Sequence, residues 1–384
     1  MLGWIFSFVV IVTTIVTGET STWTTSLGDD NPSEVEEHSD RQARFFPLFS
    51  VVRFANSECI GSNSFNGTCF TKRECSKYGG NPSGSCATNL GVCCTFRKTC
   101  GATTNINNTY FVNEGYYSAH TGAERCMITV YPCTTNICQL RIDFLDFNLA
   151  QPNASGICDL DFLLVTGSAR RVPRICGENV GQHMYVDFNG NNPITISVIT
   201  NAAYRFARKW NLRVQQIACD SPWRAPSGCL QYYKTISGTV MSFNYGTIPN
   251  PRVPTTTSIG TRQMQNLNYK ICVRPALGDC TIEWSQPDPT SFTVSGDSGL
   301  ITGAADEDLS ESGTECTHNY VIVPNPSNTT GGRYDADRFC GNGFQRKTSA
   351  CFILYVVTNP APGEVVDVEN RGFTLNYRQL ACEV

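Results

Sequence analysis

Short runs in which apolar and polar residues alternate recur through residues 100–382, separated by Gly, Pro and Asn. Residues 139–144 read Gln-Leu-Arg-Ile-Asp-Phe and set Leu140, Ile142 and Phe144 on one face. That period of two is the mark of a half-buried strand. Residues 194–199, 237–245, 352–357 and 372–377 carry similar runs rich in β-branched and aromatic residues. Short strands punctuated by turn residues predict an all-β chain built of jelly-roll sandwiches.

The runs fall into two copies of one order. The first opens at Cys100-Gly101 and passes a Tyr-rich stretch (Tyr110, Tyr116, Tyr117) to Cys126. It continues through the strand at 139–144, Cys158, Asp161, Cys176-Gly177 and the strand at 194–199, and closes at Cys219. The second opens at Cys229, runs through Cys272, Cys316 and Cys340-Gly341, and closes at Cys382. Two tandem sandwiches are therefore expected at 100–219 and 229–384. Pro222 and Pro226 stiffen the linker at 220–228.

The residues ahead of the repeats read differently. Residues 45–99 hold Cys59, Cys69, Cys75, Cys86, Cys93 and Cys94 in a Gly- and Ser-rich context. So little apolar surface cannot support a fold without cross-links, so a small disulfide knot is expected. Residues 1–18 contain an apolar run ending in Val16-Thr17-Gly18, read as a signal peptide. No Lys or Arg precedes that run, and the alternative is an uncleaved anchor. Residues 19–44 are polar and acidic and are expected to be disordered. They close on Arg41-Gln-Ala-Arg44, which is either a convertase site that makes 19–44 a propeptide cut after Arg44 or a chance pair of arginines. No later segment is apolar enough to span a membrane in the mature chain.

Composition narrows the function. The chain has 384 residues and a net charge of -4, and no basic stripe of the kind that displaces counterions from phosphate, so nucleic acid is excluded as a partner. The run Arg205, Arg208, Lys209 is too short to change that. The chain has twenty cysteines but no C-x2-C pair, and its four histidines (His38, His120, His183, His318) stand far apart. A metal array is thereby disfavoured. An even cysteine count with acceptor sequons at Asn66, Asn107, Asn153 and Asn328 points to an oxidising, extracellular location.

Equivalent positions in the two copies suggest equivalent bridges, Cys138–Cys219 and Cys280–Cys382. These leave Cys133 and Cys351 to join the sandwiches. A competing scheme closes Cys133–Cys138 locally and links Cys219 to Cys351, and spacing does not separate the two.

The cysteine frame, the strand from Cys158 to Asp161, the pairs Cys176-Gly177 and Cys340-Gly341, and the closing Gly372-Phe373 resemble the CUB domain. The six-cysteine segment ending Gly91-Val-Cys93-Cys94 resembles a clip domain. The whole arrangement resembles a family of secreted arthropod CUB proteins that lack a protease domain. The CUB resemblance implies bridges Cys100–Cys126, Cys158–Cys176, Cys229–Cys272 and Cys316–Cys340, each worth roughly 3 kcal/mol through the unfolded state. The clip resemblance implies Cys59–Cys93, Cys69–Cys86 and Cys75–Cys94.

Candidate chemistry is sparse. Gly296-Asp-Ser298-Gly299 imitates the nucleophile loop of trypsin-like proteases, but Leu300 follows and no histidine stands in the context that family requires. Many CUB domains hold Ca2+ through a Glu, two Asp and a Tyr. In the first copy only Asp161 fits, with Ala150 and Asn201 at the other carboxylate positions; the second copy offers Asn319 and Asn359. One carboxylate is too few to dehydrate the ion. The pairs Tyr116-Tyr117 and Tyr232-Tyr233 are candidate contact surfaces, with one ring of each expected inward. Asp306, Glu307, Asp308 and Glu311 read as a solvated loop. The expected function is non-enzymatic binding or scaffolding, without cofactor or metal, toward an extracellular protein or glycan. The alternatives are regulation of an extracellular serine-protease cascade and a degenerate serine hydrolase.

Overall fold

A computed structural model describes residues 53–62, 64–253, 261–295, 310–328, 331–359 and 370–382. The described residues belong to the unit Val52–Val384, the second of two into which the chain divides. The leader, the acidic segment and Arg44 lie outside the described residues, as do Ser298 and the acidic residues 306–308.

The second unit begins with a knot of β1 (Glu58–Ile60), β2 (Asn66–Phe70), α1 (Lys72–Lys77), β3 (Asn81–Cys86) and β4 (Gly91–Lys98). Thr71 and Glu74 form a reciprocal capping box that starts α1. The helix carries the buried Cys75 against Cys94 and Phe96. Bridges Cys59–Cys93, Cys69–Cys86 and Cys75–Cys94 tie the knot.

The first sandwich comprises β5 (Ala102–Thr104), β6 (Thr109–Val112), β7 (Arg125–Val130), β8 (Ile137–Asn148), β9 (Phe162–Thr166), β10 (His183–Asp187), β11 (Ile194–Ile199) and β12 (Lys209–Ala218). One of its sheets has the order β5-β7-β11-β9. The other, β6-β12-β8-β10, continues through β4 into the knot, because β4 pairs in parallel with β6. Thr68 Oγ1 also donates to Asn107 O, and Tyr110 OH to Asn66 O. The knot is thus an extension of the sandwich sheet.

The second sandwich contains β13 (Cys229–Tyr233), β14 (Ser237–Met241), β15 (Leu267–Val273), β16 (Asp279–Ser285), β17 (Phe292–Thr293), β18 (Ser310–Ser312), β19 (Asn319–Ile322), β20 (Arg338–Gly341), β21 (Lys347–Ser349), β22 (Ile353–Thr358) and β23 (Gly372–Ala381). Its sheets run β13-β15-β22-β19-β20-β18 and β14-β23-β16-β21, with β17 on β23. The repeat is visible in this order: β12 between β6 and β8 corresponds to β23 between β14 and β16. In both copies a parallel edge strand opens the other sheet. The fold is nearly all β with a disulfide-rich N-terminal region.

The alternation at 139–144 works as expected, with Leu140, Ile142 and Phe144 fully buried. Trp210 and Trp284 are fully buried, one in each copy. One apolar cluster runs through both sandwiches, and Phe144 meets Phe243 across the junction at 6.2 Å between ring centres.

Candidate functional site

The calcium position of the first sandwich is filled by the protein's own cation. Asp161 lies just before β9, and its Oδ2 accepts from Arg208 Nε at 2.7 Å while its Oδ1 accepts from Nη2 at 3.0 Å. Both side chains are fully buried. The amides of Ala150 and Asn201 donate to the same carboxylate at 3.0 and 3.1 Å. The positions that would supply acidic ligands therefore present N–H groups, which repel a cation. The guanidinium is satisfied in turn by the carbonyls of Asn201, Tyr204, Thr121 and Phe206. The residues do not fit an ion here. Asp161, singled out in the sequence, is a structural anion; Arg208 was missed because its neighbours Arg205 and Lys209 made it look like part of a surface run.

In the second sandwich Asn319 is buried at the matching place and Asn359 is exposed. Two neutral amides provide no charge for a divalent ion. Cys100, Glu124 and Cys126 also converge, but both sulfurs are spent in a disulfide.

The nine bridges among the described residues include Cys100–Cys126, Cys158–Cys176, Cys138–Cys219, Cys229–Cys272, Cys316–Cys340 and Cys280–Cys382, besides the three of the knot. Cys133 and Cys351 are both free thiols, so neither the link between sandwiches nor the Cys133–Cys138 clip is formed. Packing does what that link was expected to do.

That packing is a polar and apolar seam. Asn244, fully buried with φ of 62°, donates to Gln151 Oε1 and Arg262 O. Its Oδ1 accepts from Glu178 N, and its own amide donates to Asn179 Oδ1. Cys176 N donates to Met264 Sδ at 3.3 Å, and Gln231 Nε2 to Gln182 Oε1 at 2.9 Å. Gly177 is required here: a Cβ at its φ of +72° would stand 2.1 Å from Asn244 Oδ1.

His183 lies in the same seam. Its Nε2 accepts from Tyr232 N at 3.2 Å, and the rings of Tyr185 and Tyr233 pack edge-on. Burial first, then repulsion from Arg141, pushes its pKa from 6.5 down to about 4; Asp143 opposes the shift and Lys234 adds to it. The unfolded ring takes up its proton near 6.5, so stability is complete above that pH and falls as the pH drops toward 4. The loss is on the order of 3 kcal/mol. Thermal melts across this range should show the drop in wild type and a much flatter profile in His183→Gln.

In each tyrosine pair one ring is the more buried. Tyr116 and Tyr117 sit in a turn, where Tyr116 OH donates to Asp146 and Arg97 Nη2 donates to the exposed Tyr117 OH. Tyr232 is buried and Tyr233 half-buried in the seam. Tyr117, 67% exposed, keeps an open face, whereas the other three are at least partly buried.

The open feature is a cleft of about 740 Å³ beside the seam, between the segment after β9 and the start of β15. Arg171, Arg174, Gln265, Asn268 and Asn359 line it over a floor that includes Val172 and Leu267, with no carboxylate among its lining residues. A smaller recess of about 350 Å³ adjoins it and adds Arg170 and Lys270. Asp187 in that recess is capped by Gln139 Nε2 and Ser227 Oγ. The sequence did show this group as Arg170-Arg171-Val-Pro-Arg174, but only the fold sets it opposite the amides of the second sandwich.

The predicted glycosylation positions are spread over the unit. Asn66 Nδ2 donates to Glu58, and Asn107 Oδ1 accepts from Gln216 N. Asn153 Nδ2 contacts Asp159 near the cleft, and Asn328 Oδ1 accepts from Gly332 N.

Residues 226–380 match the animal CUB domain family. No curated protein matches the chain. Among solved structures, the CUB1-EGF-CUB2 domains of rat MASP-1 are similar at 10% identity and a TM-score of 0.25, covering 74% of this chain and 99% of that one. The corresponding human MASP-1/3 domains give 12%, 0.24, 71% and 98%. The extracellular region of zebrafish Gpr126/Adgrg6 gives 12%, 0.27, 74% and 37%.

Proposed function

We propose that this chain is a secreted, non-enzymatic binding or scaffold protein that contacts an extracellular protein or glycan through its CUB-type sandwiches. The observation that carries the reading is the animal CUB match at 226–380, since CUB domains are protein-binding modules. The first copy is read as a second domain of the same kind, behind a clip-like knot, in the manner of the secreted arthropod proteins. Nine bridges suit an oxidising compartment, and no helix among the described residues is long and apolar enough to cross a membrane. Within this reading residues 1–18 are a leader, Arg44 is a processing site, and Asn66, Asn107, Asn153 and Asn328 carry glycans. His183 is committed to the seam and His120 lies against Trp210 and Glu124, which supports a chain without an assembled serine triad.

The test is expression with the native leader, followed by a fluorophosphonate probe on the secreted material. Recovery from the medium without labelling is expected. Retention in the cell, or stoichiometric labelling of Ser298, overturns the reading. The knot's three pairings favour a second reading, a regulator of an extracellular protease cascade. Saturable binding of a purified clip-type protease that is lost on deleting residues 45–99 would select it.

A further inference from the structure

Building on the binding-protein reading, we infer that the cleft between the two sandwiches is a site for a sulfated glycan chain. Arg171 and Arg174 line it, and neither guanidinium has a carboxylate partner among the described residues. This contrasts with Arg141, Arg208, Arg213, Arg252, Arg262 and Arg378, each paired with an acid. Arg171 and Arg174 are thus two neighbouring cations without an acidic partner, in a chain whose net charge is -4.

Arg174 lies over the Phe162 ring at 4.4 Å. The ring contact helps to hold the exposed guanidinium in place, and a guanidinium can meet a sulfate with two parallel hydrogen bonds. Opposite stand Gln265, Asn268 and Asn359, whose amides both donate and accept and so suit sugar hydroxyls. The volume of about 740 Å³ is within the range of roughly 300–1,000 Å³ typical of ligand sites. The adjoining recess extends the cationic lining through Arg170 and Lys270, so a chain of repeating anionic units meets several cations in succession.

An acidic peptide is the competing polyanion, and the backbone disfavours it. Peptides commonly dock by adding a strand to a free sheet edge. Here the outer edge of β9 is taken up by Ile175, through Leu163 N to Ile175 O at 2.7 Å and Ile175 N to Leu163 O at 3.2 Å. On the other wall β22 covers one edge of β15, and β13 covers the other from Lys270 onward, so only Leu267–Tyr269 of that edge is unpaired, short against the five or so residues of an ordinary strand. The cleft thus offers side-chain donors beside no more than three residues of free backbone edge.

The full secreted chain is titrated with a heparin octasaccharide at physiological salt, with its desulfated counterpart and a glutamate- and sulfotyrosine-rich peptide as comparators. Wild type should bind the sulfated sugar and ignore the desulfated one. The double substitution Arg171→Ser/Arg174→Ser should weaken binding at least tenfold, as expected for two charge-assisted contacts, with an unchanged melting temperature. Arg53→Ser/Arg125→Ser, which also removes two exposed arginines, should bind as wild type. Absence of binding, equal binding by both double variants, or tighter binding of the peptide overturns the inference. Those outcomes leave the non-enzymatic, secreted reading intact, because it is decided by the medium and the fluorophosphonate probe.

Discussion

Replacing Arg208 with Met should lower the melting temperature by about 6–20 °C, whereas adding Ca2+ or a chelator to wild type should not move it. Removing one partner of a buried ion pair leaves the other charge stranded, at about 3–5 kcal/mol, and each kcal/mol costs a domain of this class about 2–4 °C. The buried groups left behind are Asp161 and the carbonyls of Asn201 and Tyr204. Arg208→Lys should recover little, since an ammonium cannot present two parallel donors to both oxygens of Asp161. Asp161→Asn should cost a comparable amount, because it strands the guanidinium. The paired substitution Arg208→Met/Asp161→Leu should be milder than either single change, as expected when a buried pair is replaced by apolar groups of similar size. A wild-type chain that gains several degrees with Ca2+, or an Arg208→Met chain that melts like wild type, would show that the guanidinium does not stand in for an ion.

The sandwiches were legible because their strands obey a period of two and their cysteines repeat in order. Leu140, Ile142 and Phe144 are enough to fix which face of β8 is buried. The depletion of carboxylates around Asp161 was also legible. What compensates it was not. Arg208 lies 47 residues from Asp161 in sequence, and its run with Arg205 and Lys209 carries no sign that one of the three turns inward. The seam was illegible for a related reason. Asn244 and Gly177 belong to different copies, and a glycine after Cys176 reads as a turn residue until the second sandwich is placed against it. Cys133 and Cys351 show the limit of parity: an even count of cysteines permits pairing but does not bring two thiols together. The continuous sheet through β4 and β6 was hidden because a parallel pairing between a knot and a sandwich has no local sequence mark.

Gly177→Ala should destabilise the unit by about 2–5 kcal/mol, the sum of a left-handed backbone penalty and an overpacking term. The clash is with Asn244, whose side chain is pinned by bonds to Gln151, Arg262 and Glu178. It cannot swing away without stranding those groups. Asn244→Ala alone should cost about 2–3 kcal/mol for the polar partners it abandons. In the double variant the glycine substitution should cost only its backbone share of about 1–2 kcal/mol, because the space it invades is then empty. Gly101→Ala provides the comparison: its φ is +76° but nothing stands within 4 Å of the added carbon, so it should show that backbone share alone. Denaturant unfolding of these four chains gives the coupling energy directly. Additive costs at Gly177 and Asn244 would mean that the two sandwiches are not held through this contact. Strong coupling, with one cooperative transition for wild type, would establish that the wall of the cleft formed by one sandwich is held rigidly against the wall formed by the other, as a preorganised site between them requires.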